Sequence, residues 1–371
     1  MRIGILTYHF SQNYGAVLQC FALQTVLEEL GFDVRVINYV SLSQKDNVSL
    51  YRRNNNVNSI IKNIVLTPFH RSRLKKCLMF ALFQKKHLRL THRVKNQTEL
   101  SNLVRNEGIT HIIVGSDQVW NPCIKEFDRA FFLSDIIGVK KIGYSVSLGS
   151  ASKKDLNRYV EHALQFDSVT CREYYAANLI AEITGKDVQI SPDPTFLLSR
   201  NYWETFAKKC SYITKEKRYL LCYFLNKEKY KKNIEFSKKV ARERGLEFKL
   251  IDPRVSIMSV MNNGIIGAGP SEFINLLYNS DFIITDSFHG TVFSILLNRP
   301  FLSINNNPKS NDTRRSDLLK RYCLNEKYIV ISETDITDEA LYITEYSQAN
   351  EVLANDVTCC RNQLVNLIER L

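Results

Sequence analysis

The stretch Thr285-Asp286-Ser287-Phe288-His289-Gly290-Thr291 places an imidazole where it can move a proton beside an anion. Phe282–Ile284 before it reads as a buried strand, and Val292–Leu297 after it reads as a buried helix. A strand–turn–helix junction exposes backbone N–H groups at the helix start, and these favour negative charge. Imidazole exchanges protons near neutral pH, so His289 at that turn is a candidate acid/base. A capped helix with a packed histidine would have the same letters. Five other groups have the residue types of a site. Arg172, in Cys171-Arg172-Glu173 at a strand end, can hold a carboxylate or phosphate with two parallel bonds, or pair with a nearby acid. Asn13, Tyr14 and Gly15 close a polar loop that begins at Thr7; Gly15 suits close ligand approach, while Asn13 equally suits a helix cap. Ser116, Asp117, Gln118 and Trp120 follow a buried strand and resemble a cleft wall, with Trp120 either a sugar platform or a core residue. Asp193, in Asp193-Pro194-Thr195, can orient a neighbour or cap a turn. Arg314 and Arg315 form a basic pair in a polar loop after the strand Phe301–Ile304.

Several chemistries are excluded. The chain has no G-x-G-x-x-G, no Walker loop and no G-x-S-x-G elbow. None of its histidines has a second histidine at metal-ligand spacing on one helix face, so neither a catalytic metal nor a cofactor is expected.

The elements that must position these residues alternate along the chain. Ile3–Leu6, Val34–Tyr39, Ile112–Val114, Lys141–Leu148, Ser168–Cys171 and 188–190 read as strands. Helical patterns cover Ala16–Leu30, Asp155–Phe166 and Glu173–Thr184. A second series starts near Arg218: strands at Tyr219–Leu225, Phe248–Ile251, Phe282–Ile284 and Phe301–Ile304, with helices at Lys227–Arg244, Ser271–Tyr278 and Gly290–Leu297. Such alternation predicts an α/β fold with parallel sheets, whose ligands bind outside the carboxyl ends of strands. The expected division is 1–190, 191–345 and a helical segment 346–371 packing back on the first domain.

With 371 residues the chain is long enough for two domains. Its 44% apolar and 24% charged residues are those of an ordinary globular protein. No apolar run reaches the ~18 residues that span a bilayer. The first residues read as a strand rather than a signal peptide, so a cytoplasmic location is expected. Nine cysteines without a C-x-x-C pair read as reduced thiols. The net charge of +12 has a local origin. Residues 47–98 contain twelve Lys or Arg and no acid, leaving the rest of the chain balanced. Leu74, Leu78 and Leu82 recur there at helical spacing. Such a basic amphipathic stretch suits the anionic inner face of a membrane, or it is a solvated excursion. It matches no nucleic-acid module, so no nucleic-acid partner is expected.

Taken together, Asn13–Gln19, Val114–Asn121, Arg172-Glu173, Asp193–Phe196 and Asp286–Gly290 resemble, in order, the motifs of the polysaccharide pyruvyl transferase family. The resemblance spans about residues 1–322. It implies two Rossmann-like domains facing a cleft, as in GT-B glycosyltransferases. It also implies transfer of a carboxyethylidene group from phosphoenolpyruvate to a sugar, with His289 as acid/base and Arg172 binding the donor. Ser287, Phe288 and Gly290 would form the donor-side helix start. Some members have an arginine where this chain has Ser287; Arg314 or Arg315 is the expected replacement. The implied partners are phosphoenolpyruvate, as a co-substrate, and a sugar acceptor on a lipid diphosphate or another carrier. A GT-B glycosyltransferase using a nucleotide sugar, and a non-catalytic subunit of a polysaccharide assembly, are the rival readings.

Overall fold

Strands β1 (Arg2–Leu6), β2 (Asp33–Val36), β3 (His111–Val114), β4 (Lys140–Val146), β5 (Ser168–Cys171) and β6 (Gln189–Ile190) form one sheet in the order β2-β1-β3-β4-β5-β6. Strands β7 (Tyr219–Tyr223), β8 (Glu247–Ile251), β9 (Phe282–Thr285), β10 (Phe301–Ile304) and β11 (Tyr328–Ile329) form a second, in the order β11-β10-β9-β7-β8. Every pairing is parallel. Counted from its own first strand, the second sheet repeats the 2-1-3-4-5 order of the first. In this order the chain reverses direction between the first and third strands, and ligands bind at that switch point. The computed structural model describes residues 1–42, 44, 67–212, 217–253, 261–308 and 312–369.

The helices are α1 (Tyr14–Glu29), α2 (His70–His87), α3 (Gln97–Asn106), α4 (Tyr174–Thr184), α5 (Arg200–Lys208), α6 (Tyr230–Glu243), α7 (Pro270–Asn279), α8 (Phe288–Leu296), α9 (Arg314–Arg321) and α10 (Ser347–Glu369). Shorter helical turns lie between them. Central strands are apolar on both faces because helices cover both: Ile3, Ile5 and Leu6 of β1, and Ile283 and Ile284 of β9, are fully buried. Asn13 caps α1, its side chain accepting from the Gly15 amide at 3.0 Å.

Two expectations change. Residues 155–166 are not one helix but the turns Lys153–Leu156, Asn157–Tyr159 and Val160–Ala163, broken where Tyr159 leaves helical angles and stacks on Phe132 at 5.0 Å. Arg314 and Arg315 do not lie in a loop; they open α9, with Asp312 accepting from the Arg314 amide at 3.4 Å.

The domains meet through apolar and polar ties. Tyr14 stacks on Phe273 at 4.4 Å and donates its hydroxyl to the Ala268 carbonyl at 3.0 Å. Lys76 of α2 reaches from the first domain to the Pro253 carbonyl at 2.9 Å, and burial pushes its ammonium down to about 8. Helix α10 crosses both units. Arg361 donates to Glu29 and to the Leu197 carbonyl, Gln363 to Gln189, and Asp356 accepts two bonds from Arg321. Of the basic segment 47–98, residues 47–66 lie outside the described residues. They include Arg52, Arg53 and Lys62.

Candidate active site

His289 is the second residue of α8, one step inside the helix rather than in the turn before it. Ser287 is the cap: its hydroxyl accepts from the Gly290 amide at 3.3 Å. A helix start leaves its first amides without intrahelical partners, so those of Phe288 and His289 border the site. The imidazole is 7% exposed and its Nε2 lies 3.2 Å from Asp193 Oδ2. This pair joins residues 96 positions apart.

Asp193 is the hub of a buried network. Its Oδ2 accepts from Arg172 Nη1 at 2.8 Å and Ser116 Oγ at 3.2 Å; its Oδ1 accepts from the Thr195 amide and hydroxyl at 3.1 and 2.8 Å. Burial by itself would raise its pKa, but His289, Arg172 and the Thr195 amide hold the carboxyl well below the usual range. An ionised carboxylate can only accept, so Nε2 of His289 donates to it and Nδ1 is the other ring nitrogen. That edge of the ring rests on Gly15, the second residue of α1. A Cβ there would sit 1.9 Å from Nδ1. Gly15 therefore provides clearance for the imidazole, across the domain boundary.

Arg172 is buried, with its guanidinium 4.2 Å from the Phe288 ring centroid. Its Nε and Nη2 have no hydrogen-bond partner. Asp117 and Glu173 stand 3.8 and 4.0 Å from those nitrogens, beyond hydrogen-bond reach. Buried donors are normally satisfied, so two N–H groups without a hydrogen-bond partner stand out on this cation, each facing a carboxylate at ion-pair distance. Burial pushes the Glu173 carboxyl up, against Arg172, Arg314, and bonds from Ser147 and Leu148 that pull it down.

Beside this network lies a cavity of about 380 Å³, lined by His289, Ser287, Phe288, Asn13, Asp117 and Gln118. Arg314, Arg315, Asp286, Tyr328, Asn226, Asn305, Asn306 and Asn307 line it as well. Arg172 and Asp193 line a smaller hollow, together with Phe288 and Arg314, which border both spaces. Arg314 gives two bonds to Asp312 at 2.7 and 2.5 Å; Arg315 donates to Ser303 Oγ and the Ile304 carbonyl at 3.2 and 2.6 Å. Asp286 accepts from the Leu225 and Asn226 amides and from Asn233 and Asn306, which makes it a brace for the cavity wall.

The expected site residues gather around Asp193 and His289 apart from Trp120 and Tyr14, but Gly15, Ser116 and Asp193, expected on the cleft wall, do not line the larger cavity, and Ser116 is fully buried. Trp120 is not on the cleft wall. It is 1% exposed, stacks on Phe132 at 5.0 Å and gives its indole N–H to the Phe131 carbonyl at 3.1 Å, because a large ring with one donor is satisfied inside the core. Tyr14 is not a wall residue either but a domain tie, fully buried against Phe273. Gly290 has no room for a side chain, since a Cβ would meet Thr285 Oγ1 at 2.3 Å. Sequence reasoning missed Asn226, Asn305, Asn306, Asn307 and Tyr328. The run of three asparagines directly after β10 was the available signal, since ligands gather at strand ends.

Two parallel-sheet domains facing a cleft define a GT-B-like architecture. Solved structures share it along their whole length. UDP-GlcNAc 2-epimerase from Neisseria meningitidis, bound to UDP-GlcNAc, matches with TM-score 0.56 and 11% identity over 100% of both chains. MnaA from S. aureus, in a UDP co-structure, matches with TM-score 0.55 and 15% identity over 99% of this chain and 96% of its own. Alr3699/HepE from Anabaena, in complex with UDP and glucose, matches with TM-score 0.54 and 10% identity over 100% of both. At such identities the likeness is one of fold alone. No curated protein matches the sequence significantly. The sequence profile of the polysaccharide pyruvyl transferase family matches residues 13–308, and the chain belongs to that family.

Proposed function

We propose that this protein transfers a carboxyethylidene group from phosphoenolpyruvate to a sugar of a capsular or exopolysaccharide repeat unit, with His289 as acid/base. The observation that carries the reading is the buried Asp193–His289–Arg172 network at the α8 start, in a chain of this family. Phosphoenolpyruvate is an enol ester. A proton added to its methylene carbon leaves a cationic C2, which a sugar hydroxyl attacks. Phosphate leaves, and a second hydroxyl of the same sugar closes the cyclic ketal. Of the two hydroxyl protons, one ends in the new methyl group and the other on the released phosphate.

In this reading Nδ1 of His289 takes a proton from the attacking hydroxyl, while Asp193 stabilises the imidazolium that results. The idle donors of Arg172, with Arg314 and the α8 start, hold the donor's carboxylate and phosphate on either side of Phe288. The asparagines that line the cavity suit the hydroxyls of the acceptor. A peripheral contact with an anionic membrane, taken up below, would suit a lipid-linked acceptor.

The test is the unfolding midpoint with phosphoenolpyruvate, with nucleotide sugars and with neither, because a ligand that binds the folded state raises it. The expected result is a rise with phosphoenolpyruvate that disappears in Arg172→Ala, together with phosphate release once a competent acceptor is added. A rise with nucleotide sugars alone would make the protein a glycosyltransferase and overturn the reading.

A further inference from the structure

Helix α2 presents an unusual outer face. Its inner side buries Phe80, Phe83 and the stem of Lys76, while Leu74, Leu78 and Leu82 are 36, 52 and 58% exposed. At 100° per residue these leucines fall within about 80° of one another. Arg71, Lys75, Lys85 and Lys86 are exposed on the same half of the helix, which contains no acid. Beside Leu82 lies a trough of about 410 Å³ lined by Met79, Phe83 and Phe206 together with Lys86, Lys209 and the buried Glu272. The helix also braces the active-site loop: Gln84 donates to the His9 carbonyl at 2.9 Å and Gln12 to Cys77 Sγ at 3.1 Å.

Leucines and cations on one helix face match the boundary of an anionic bilayer, where apolar side chains enter the acyl region and cations meet phosphates. A second copy of the chain fits poorly, because a symmetric contact would press four cations against their equivalents. A nucleic acid would use the cations but leave the leucines in water. We propose that the outer face of α2 is a docking surface for anionic lipid membrane, holding the cleft next to a membrane-borne acceptor. The membrane contact itself does not depend on which donor the cleft uses.

The experiment is co-sedimentation of the full chain with vesicles containing roughly 30% phosphatidylglycerol, or phosphatidylcholine alone, at low salt and in about 0.5 M salt. The expected result is binding to the anionic vesicles alone, weakened ~10-fold or more by salt. Both L74S/L78S/L82S and K75E/K85E/K86E should lose it by a similar factor, with unfolding midpoints near that of the parent because the residues are exposed. Should the triple leucine variant be unstable, Leu78→Ser alone replaces it, with a smaller loss expected. No binding at low salt, equal binding to both vesicle types, or binding unchanged in the variants would overturn the proposal. So would a dimer that disappears in the leucine variant while vesicle binding persists. No arm contains phosphoenolpyruvate, so failure here is distinct from failure of the donor reading.

Discussion

The two sheets share a strand order yet use their switch points differently. In the first, Gln19 fills the crevice between β1 and β3: it donates to Thr7 Oγ1 at 2.9 Å and accepts from the Ser116 amide at 3.2 Å, while Thr7 donates to the Ser116 carbonyl. The crevice itself is filled, and only the loops beyond it, through Asn13, Asp117 and Gln118, reach the cavity. In the second, Asp286 braces the crevice between β7 and β9 from one side, and the strand ends around it line the cavity. The first domain adds three lining residues, a buried charge network and the clearance at Gly15. A shared topology therefore marks where a ligand can bind, and side-chain satisfaction decides whether it does.

Replacing the one group that would move protons should give the largest effect. His289→Ala is expected to lower turnover by roughly 10²–10⁴ with the fold retained, measured as phosphate release and circular dichroism. Normal turnover would place the chemistry elsewhere. Gly15→Ala tests whether the first domain contributes by leaving space. The added methyl must displace the imidazole, and turnover should fall by up to roughly 100-fold. Packing strain would add about 1–3 kcal/mol of destabilisation, visible in the unfolding midpoint. An undisturbed rate would mean that the imidazole has room to act from another position.

Asp193→Asn breaks the charge network between the two sides. Removing one partner leaves Arg172 buried without its closest counter-charge, a loss of about 3–5 kcal/mol at neutral pH. The pH dependence has a definite sign. Folding holds the Asp193 carboxyl below its unfolded value of about 3.9, so its contribution is complete above that pH and is lost as pH falls through the folded value. Urea midpoints of parent and variant should therefore differ most at neutral pH and converge on acidification below about pH 4.

The smallest effect should come from the filled crevice. Thr7→Val removes one hydroxyl from the Gln19 network and should cost about 1 kcal/mol with turnover unchanged. A marked loss of turnover would show that the first switch point serves the site after all, and the contrast between the sheets would narrow.

Much of the fold was legible because parallel strands buried on both faces are apolar runs, and because a cap such as Asn13 announces a helix start locally. The motif around His289 and the segregated positive charge were legible for the same reason: each is contiguous. The chain alone thus determined an α/β alternation, a histidine at a strand–helix junction, and a basic segment with leucines at helical spacing. Which residues meet was decided by the tertiary structure. Asp193 and His289 become partners, and Gly15 meets the imidazole, because α1 and α8 start at facing strand ends of two separate sheets. The sequence around Trp120 is equally compatible with a cleft wall and with the core; packing against Phe132 decides it. Helical spacing in α2 likewise gives no direction, and the bulk of Phe80 and Phe83 turned them inward and the leucines out. Local periodicity specifies that a helix has faces, while the direction each face points depends on contacts between elements distant in sequence.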